Sequence, residues 1–496
     1  MPSSQIAYCT TVCALWAFGA WNAWECLGLY SDGAFFMTQS VQRMSFWVFD
    51  PARDYIYAIT QTPLVIALHL GVTDLHWLAR LYSAGLIIVP TGLYHLALAR
   101  VRHDTILLAV TIAAVAMVFM TTSFFIVGEY NTACAIGVLI ATRLASADKP
   151  RVADGVVLVI VATLALRTYE TFLYLGPLLA GMVMWTAYRR WPIGGGQASR
   201  PSIGVAVIAL LTILIAWQTT YAILLWVLLA VAVAMFWGMH RPASRATLTT
   251  GLYLLAAALL LAGALIAANS LIERLSFLAD TIWKAREFWS NAQFVLMLGA
   301  ALAVAIWGLL RPDDLRRRRL YIPAFCLLLL LALSPVLASH FPLLRPHGEE
   351  HYTARNVAGV VVAAIVVFLW ARTWRDGAWL PAFAVLKEPA VARNLLGFSS
   401  LMFLAVLPSA IFLTTTWISF LAAMQTTVRS HRGVVALADT APARPPYVFL
   451  ADPEFVVSLS LAIRATPEDG IVIAPTSYNY NLMADLPDLG GFVWRD

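Results

Sequence analysis

The sequence predicts an all-α protein that crosses a membrane about thirteen times and ends in a small α/β domain outside the bilayer. Three observations carry that reading. The 496 residues are 61% hydrophobic and 12% charged, where a soluble domain carries about 45–50% apolar and about 25% charged residues. Apolar segments close to the roughly 20 residues a spanning helix needs recur from Ile6 to Met424. The basic residues fall mostly between those segments rather than within them.

Taken in order, the apolar segments are 6–29, 82–99, 105–127, 131–146, 155–166, 171–187, 203–217, 219–238, 248–269, 292–310, 320–339, 356–371 and 398–424. The first has no basic residues ahead of it and is long enough to span, so it reads as a membrane helix rather than a cleaved signal. With the N-terminus in the cytoplasm, the inner loops hold nineteen of the 33 Lys and Arg, the outer loops nine and the tail five. The positive-inside rule therefore favours an inner N-terminus and an outer C-terminus. The run Arg316 to Arg319 reads as a topology anchor in contact with anionic lipid.

The transmembrane domain is expected over 1–424, and its first outer loop, 30–81, is long and only partly polar. The stretch 55–81 suggests helices along the membrane surface. The tail, 425–496, is the soluble part. Tyr447 to Ala451 reads as a strand, Asp452 to Ala465 as a helix with Asp452 as N-cap and Pro453 at its first position, 466–470 as a turn and Ile471 to Ala474 as a second strand. About seventy residues is small for independent stability, so the tail should dock on the membrane part.

Several classes are disfavoured. The net charge of +6 follows from topology, and there is no basic, aromatic-interleaved patch for nucleic acid. Cys9, Cys13, Cys26, Cys134 and Cys326 lie in or beside apolar segments, which argues against an extramembrane disulfide framework. His347, Glu350 and His351 match no strong zinc spacing.

The candidate chemistry collects on the predicted outer side. Asp32, just past the first span, is placed for partial desolvation, which raises a carboxylate's basicity and suits a general base. Glu25 lies near the end of that span, and Asp50 and Asp54 are rival acids. Glu129 sits in the short turn Gly128 to Asn131 between two apolar runs. Arg167 and Glu170, three residues apart, can pair on one helical turn, or Arg167 can meet a phosphate with its planar fork. The polar cluster 344–355 offers His351 and Arg355 for a phosphate or sugar. Lys284 and Arg286, beside Trp283, Phe288 and Trp289, suit a headgroup, a sugar or an interfacial belt.

This layout resembles that of GT-C-type membrane glycosyltransferases. The likeness is architectural and covers most of the chain: a first helix starting inside, a long first outer loop opening with an acid in Tyr30-Ser-Asp-Gly33, a second acid in Gly128-Glu-Tyr130, many spans and a small outer C-terminal domain. The resemblance implies transfer of a sugar from a polyprenyl-phosphate donor to a glycan, lipid or protein acceptor, with inversion. It implies Asp32 as catalytic base, Glu129 as a supporting acid, and Arg167 and Arg355 at the donor phosphate. It also implies an integral protein of a bacterial inner membrane, with membrane lipids as further partners and no nucleic acid. No cofactor is called for, and a divalent metal stays an open alternative. Two rival readings are an O-antigen ligase or polymerase, which has a large late outer loop, and a transporter or flippase of lipid-linked sugars, which often shows repeated halves. Here the long loop is the early one and no repeat is evident.

Overall fold

The computed structural model describes residues 3–125, 128–146, 151–189, 244–338, 340–345, 353–372, 385–386 and 388–495. Among them are seventeen α-helices and one two-stranded sheet. In chain order these are α1 (Ser3–Trp24), α2 (Asp32–Arg43), α3 (Asp54–His69), α4 (Leu75–Val101), α5 (Thr105–Ala114), α6 (Glu129–Ser146), α7 (Val152–Ala165) and α8 (Phe172–Arg189). There follow α9 (Ser244–Glu273), α10 (Leu275–Ala285), α11 (Ala292–Leu310), α12 (Pro312–Arg316), α13 (Tyr321–Leu337), α14 (Gly359–Arg372) and α15 (Pro389–Ser430). The tail holds β1 (Val434–Ala436), α16 (Val456–Ile463), β2 (Ile471–Ile473) and α17 (Ser477–Ala484).

Local chemistry explains where many of these helices begin. Asp74 caps α4 by accepting from the His76 amide, and Asp104 caps α5 by accepting from the amides of Ile106 and Leu107. Asn291 does the same for α11 through Phe294. Pro312 and Pro389 open α12 and α15 at the first-turn position that tolerates a missing N–H.

Among the described residues three helices, Leu75–Val101, Leu248–Glu273 and Pro389–Ser430, are long and apolar enough to cross a membrane. Each also leaves large apolar side chains uncovered: Ile88 and Leu96 on α4, Leu265 on α9, Leu404 and Ile411 on α15. Water penalises such surfaces and lipid does not, so the chain is membrane-associated. Six shorter apolar helices, at 105–120, 152–165, 172–187, 292–308, 321–337 and 356–371, coincide with further expected spans. The expected spans 203–217 and 219–238 lie outside the described residues.

Two apolar cores organise the molecule. The bundle core runs through α5 to α9 and on to α13, α14 and the first half of α15. A second core is built from α2, α3, the start of α4, the end of α15 and the tail. We call this second unit the cap. The tail is docked as expected for so short a segment: Leu75 N–H donates to Val493 O, Val493 N–H to Thr73 O, and the Trp494 ring stacks on His76 at 4.2 Å.

Several sequence expectations are corrected. The first helix stops at Trp24, not at residue 29, because Cys26 takes a left-handed backbone and starts a 3-10 turn over Leu27–Leu29. Within 30–81 the helices expected over 55–81 are present as α3 and the first turns of α4, and α2 adds a helix at 32–43 that the sequence reading leaves in the loop. Tyr447 to Ala451 is a series of turns rather than a strand. Pro445 and Pro446 immediately before it supply no N–H for a ladder, and Tyr447 and Leu450 instead close turns onto Arg444 and Tyr447. The partner of β2 is β1, paired in parallel with Val434 opposite Ile471. The helix expected over 452–465 is shorter, as α16, and α15 extends six residues past the expected end of its span.

Candidate active site

Asp32 opens α2, where a carboxylate is favoured by the positive end of the helix dipole. The chain reaches it through a strained turn. Cys26 and Ser31 carry φ of 57° and 53°, and such non-glycine residues persist only where surrounding structure holds them. The holding groups are visible. Gly28 N–H donates to Ser83 Oγ on α4 at 2.9 Å, and Ser31 Oγ donates to Asp452 of the tail at 2.5 Å. Gly33 lies so close to the same turn that a Cβ there would sit 1.9 Å from Gly28 O. Asp32 itself is exposed, not partly desolvated as expected, because Gly33 and Ala34 rather than Asp32 take the buried side of the first turn of α2.

Glu129 opens α6 and is half-buried. Gly128 before it has φ of 102°, a conformation that favours glycine, and its carbonyl accepts from Thr132 Oγ1 at 2.9 Å. Asn131 Oδ1 accepts from Thr122 Oγ1. A π-helical turn, Val115–Met120, continues α5 into the segment leading to Glu129. A second, Ala354–Ala358, packs against the first. Such turns occur often at functional sites.

Asp32 and Glu129 are 97 positions apart in sequence, yet both lie within electrostatic range of the phenols of Tyr57 on α3 and Tyr82 on α4. Burial drives the Tyr57 phenol well above its usual range. Arg53 opposes that shift, and Glu129, Asp32 and Asp50 reinforce it. Tyr57 therefore remains an O–H donor at neutral pH. Its hydroxyl is buried and, among the described residues, has no hydrogen-bond partner.

Beside this pair lies an ionic cluster. Arg53 donates through Nε and NH2 to Glu170 Oε1 at 3.1 and 2.7 Å and lies 4.4 Å from the Tyr169 ring centre. Burial works against the Arg53 charge, but Glu170, Tyr57, Tyr169 and Glu129 together outweigh it and raise the guanidinium's pKa above its usual value. Arg167 NH1 donates to Pro51 O at 2.7 Å and to Asp54 Oδ2 at 3.1 Å. Arg274 pairs with Asp50 at 2.9 Å. The expected Arg167–Glu170 pair is thus replaced by two pairs to the 50–54 segment. The cause is local: α7 ends at Ala165 and α8 begins at Phe172, so 167 and 170 do not share a helical turn. The rival acids are committed elsewhere, since Asp50 Oδ1 also caps the 3-10 turn Pro51–Arg53 through Ala52 N–H. Nε and NH2 of Arg167 make no hydrogen bond among the described residues.

Other predicted residues fall into different surroundings. Lys284 Nζ stands 3.3 Å from Asp280, and the Arg286 guanidinium covers Trp283 at 3.3 Å, both half-exposed at the end of α10. Asn356 Nδ2 donates to Thr281 O, so this helix neighbours the turn that holds Arg355. His351, together with His347 and Glu350, lies outside the described residues, as does the side chain of Arg355. Glu25 is half-buried, and its carbonyl accepts from Trp417 Nε1. Among the described residues no three His, Cys, Asp or Glu gather closely enough to hold a metal ion.

Sequence reasoning missed Arg53, Arg274, Tyr57 and Tyr82. A signal existed for Arg53: Asp50-Pro-Ala-Arg reads as a capped turn, which fixes the direction of its fourth residue. The tyrosines are aromatic residues inside apolar runs and carry no such mark. Comparison with family models, with curated proteins and with solved structures finds no match for this chain.

Proposed function

We propose that the protein is a membrane glycosyltransferase that moves a sugar from a polyprenyl-phosphate donor to an acceptor hydroxyl. The observation that supports this reading is that Asp32 and Glu129, far apart in sequence, both lie within electrostatic range of the buried Tyr57 phenol. Asp32, exposed on the first turn of α2, accepts the acceptor's proton as its oxygen forms a bond to the anomeric carbon. The bond from that carbon to the donor phosphate breaks on the opposite face, and the configuration inverts. Glu129, half-buried, positions the acceptor together with the Tyr57 O–H. Arg167 offers Nε and NH2 to the departing phosphate while Asp54 and Pro51 O orient it through NH1. In this reading the chain crosses the membrane thirteen times, with the N-terminus cytoplasmic and the cap on the outer face.

The test uses purified protein in proteoliposomes with a polyprenyl-phosphate sugar and a mixture of acceptors. Asp32→Asn should lower turnover by about 10²-fold or more, the range of a lost general base, and Glu129→Gln should lower it less. Full activity in both variants overturns the reading.

A further inference from the structure

Helices α1 and α4 meet at Gly19, whose added Cβ would lie 3.1 Å from Ile87 Cγ2. Beyond that contact they part and leave a cavity of about 300 Å³. Its lining is mainly apolar and includes Ala20, Ala23, Ala84, Leu81, Trp16 and Ile88. Arg80 stands among the lining residues. Its guanidinium lies 3.8 Å from the Trp24 ring centre and 5.1 Å from that of Trp77, and its Nε donates to Trp24 O at 3.1 Å. Among the described residues Arg80 makes no ion pair, and its NH1 and NH2 make no hydrogen bond. The Trp24 and Trp77 rings beside it, packed edge to face on each other at 5.8 Å, are about half exposed.

We infer that this groove seats the apolar chain of a membrane amphiphile whose phosphate pairs with Arg80. An apolar channel alone would accept any alkyl chain, and a lone arginine would accept any anion. The two together select a molecule with both parts. The contact with the Trp24 ring and the Nε bond to Trp24 O hold the guanidinium and leave the two amino ends of its fork for a phosphate. The source is the bilayer, because Ile88 in the groove wall and Leu96 two turns along are both half exposed on an apolar spanning helix. Gly19 and Ile87 also line a second, smaller cavity that reaches Gly128 and Asn131, on either side of Glu129. The Gly19–Ile87 contact thus stands between the groove and that small cavity. The proposal needs only the groove and is independent of the transferase reading, in which the donor phosphate meets Arg167 and not Arg80.

The experiment uses the full chain in phosphatidylcholine nanodiscs with farnesyl phosphate carrying a photoreactive group at its chain end. Peptide mapping should find adducts in 16–24 and 81–91. Farnesyl phosphate should compete at least tenfold better than farnesol, and inorganic phosphate should not compete. Arg80→Gln should abolish the preference over farnesol while chain labelling persists. Ala84→Phe should cut labelling at least tenfold, with Ala20→Leu as a second block should the first fail to fold. Adducts confined to other helices, equal competition by farnesol, or unchanged labelling in a folded blocked variant overturn the proposal. Asp32→Asn protein should label like wild type, so a failed transferase assay and a failed groove give different results.

Discussion

In the bundle, the hydroxyls of Thr111, Thr121, Thr163 and Thr186 each donate to the carbonyl four residues back in their own helix. In the cap, polar groups reach across elements: Gly28 N–H to Ser83, Trp47 N–H and Ser40 Oγ to Gln61, Val472 N–H to Ser460, and Asn479 Nδ2 to Pro453 O. Both regions bury extensive apolar surface. The difference lies in who satisfies the backbone. A helix in lipid must close its own hydrogen bonds because no water is there to do so. The cap is assembled from short pieces that depend on one another, and it carries the proposed catalytic base. A single polar substitution should therefore disturb the cap far more than the bundle.

The harshest test falls on the seam between the two. Arg53 comes from the 50–54 segment and Glu170 from the turn between α7 and α8, and their side chains are each 12% exposed. Removing one partner of a buried pair leaves an uncompensated charge and costs about 3–5 kcal/mol. Arg53→Ala should lower the melting temperature in detergent sharply and open the 44–54 segment to protease. The double variant Arg53→Ala with Glu170→Ala should recover part of the loss, because no lone carboxylate remains. A single variant as stable as wild type would mean the cap does not lean on the bundle through this pair.

A milder comparison sets Gln61→Leu against Thr111→Val. Gln61 accepts from Trp47 N–H at 2.8 Å and donates to Trp47 O at 2.8 Å, so its loss strands buried backbone groups at about 1–3 kcal/mol. Thr111 only adds a second donor to a carbonyl that α5 already uses, so valine there should cost less than about 1 kcal/mol. Paired thermal melts measure both. Equal losses would erase the distinction between the two regions.

The same distinction explains what could be read from the chain alone. The helix expected over 292–310 starts and ends on those residues, and 171–187 and 131–146 lie within two residues of the observed bounds. Each such helix satisfies itself, so local hydropathy suffices to find it. The end of α1 escaped because Leu27-Gly-Leu is as apolar as the helix before it, while the left-handed Cys26 is a backbone event that hydropathy cannot register. Of the two tail strands the sequence suggests, 471–474 is present as β2, whereas 447–451 only resembles one through its Tyr, Val and Phe. Pairing instead went to Val434–Ala436, which the end of α15 delivers next to β2. At the site, Asp32 and Glu129 were legible as acids beside apolar runs. The exchange of partners among Arg53, Asp54, Arg167 and Glu170 was not, since it depends on the docking of segments more than a hundred residues apart.

The smallest expected effect is a titration confined to the cap. Asp469 closes the turn before β2. It accepts from the amides of Ala465 and Thr466 at 2.7 and 3.0 Å and from Thr466 Oγ1 at 2.7 Å, with Arg432 at 3.4 Å. Burial alone would raise its pKa, but the Thr466 and Ala465 donors and Arg432 together lower it below the usual carboxylate value. A depressed carboxyl pKa stabilises the fold wherever the unfolded group is ionised, above about pH 4. That contribution declines as the pH falls below this value and is gone once the folded group is protonated. Hydrogen exchange at the amides of 465–473 should therefore rise below pH 4 in excess of the change in α5, whose buried face is apolar apart from Thr111. Asp469→Asn should show the faster exchange already at pH 7 and lose most of the acid dependence. If acid loosens α5 and the 465–473 turn together, the cap shares one cooperative unit with the bundle and the contrast between them is one of bonding pattern alone.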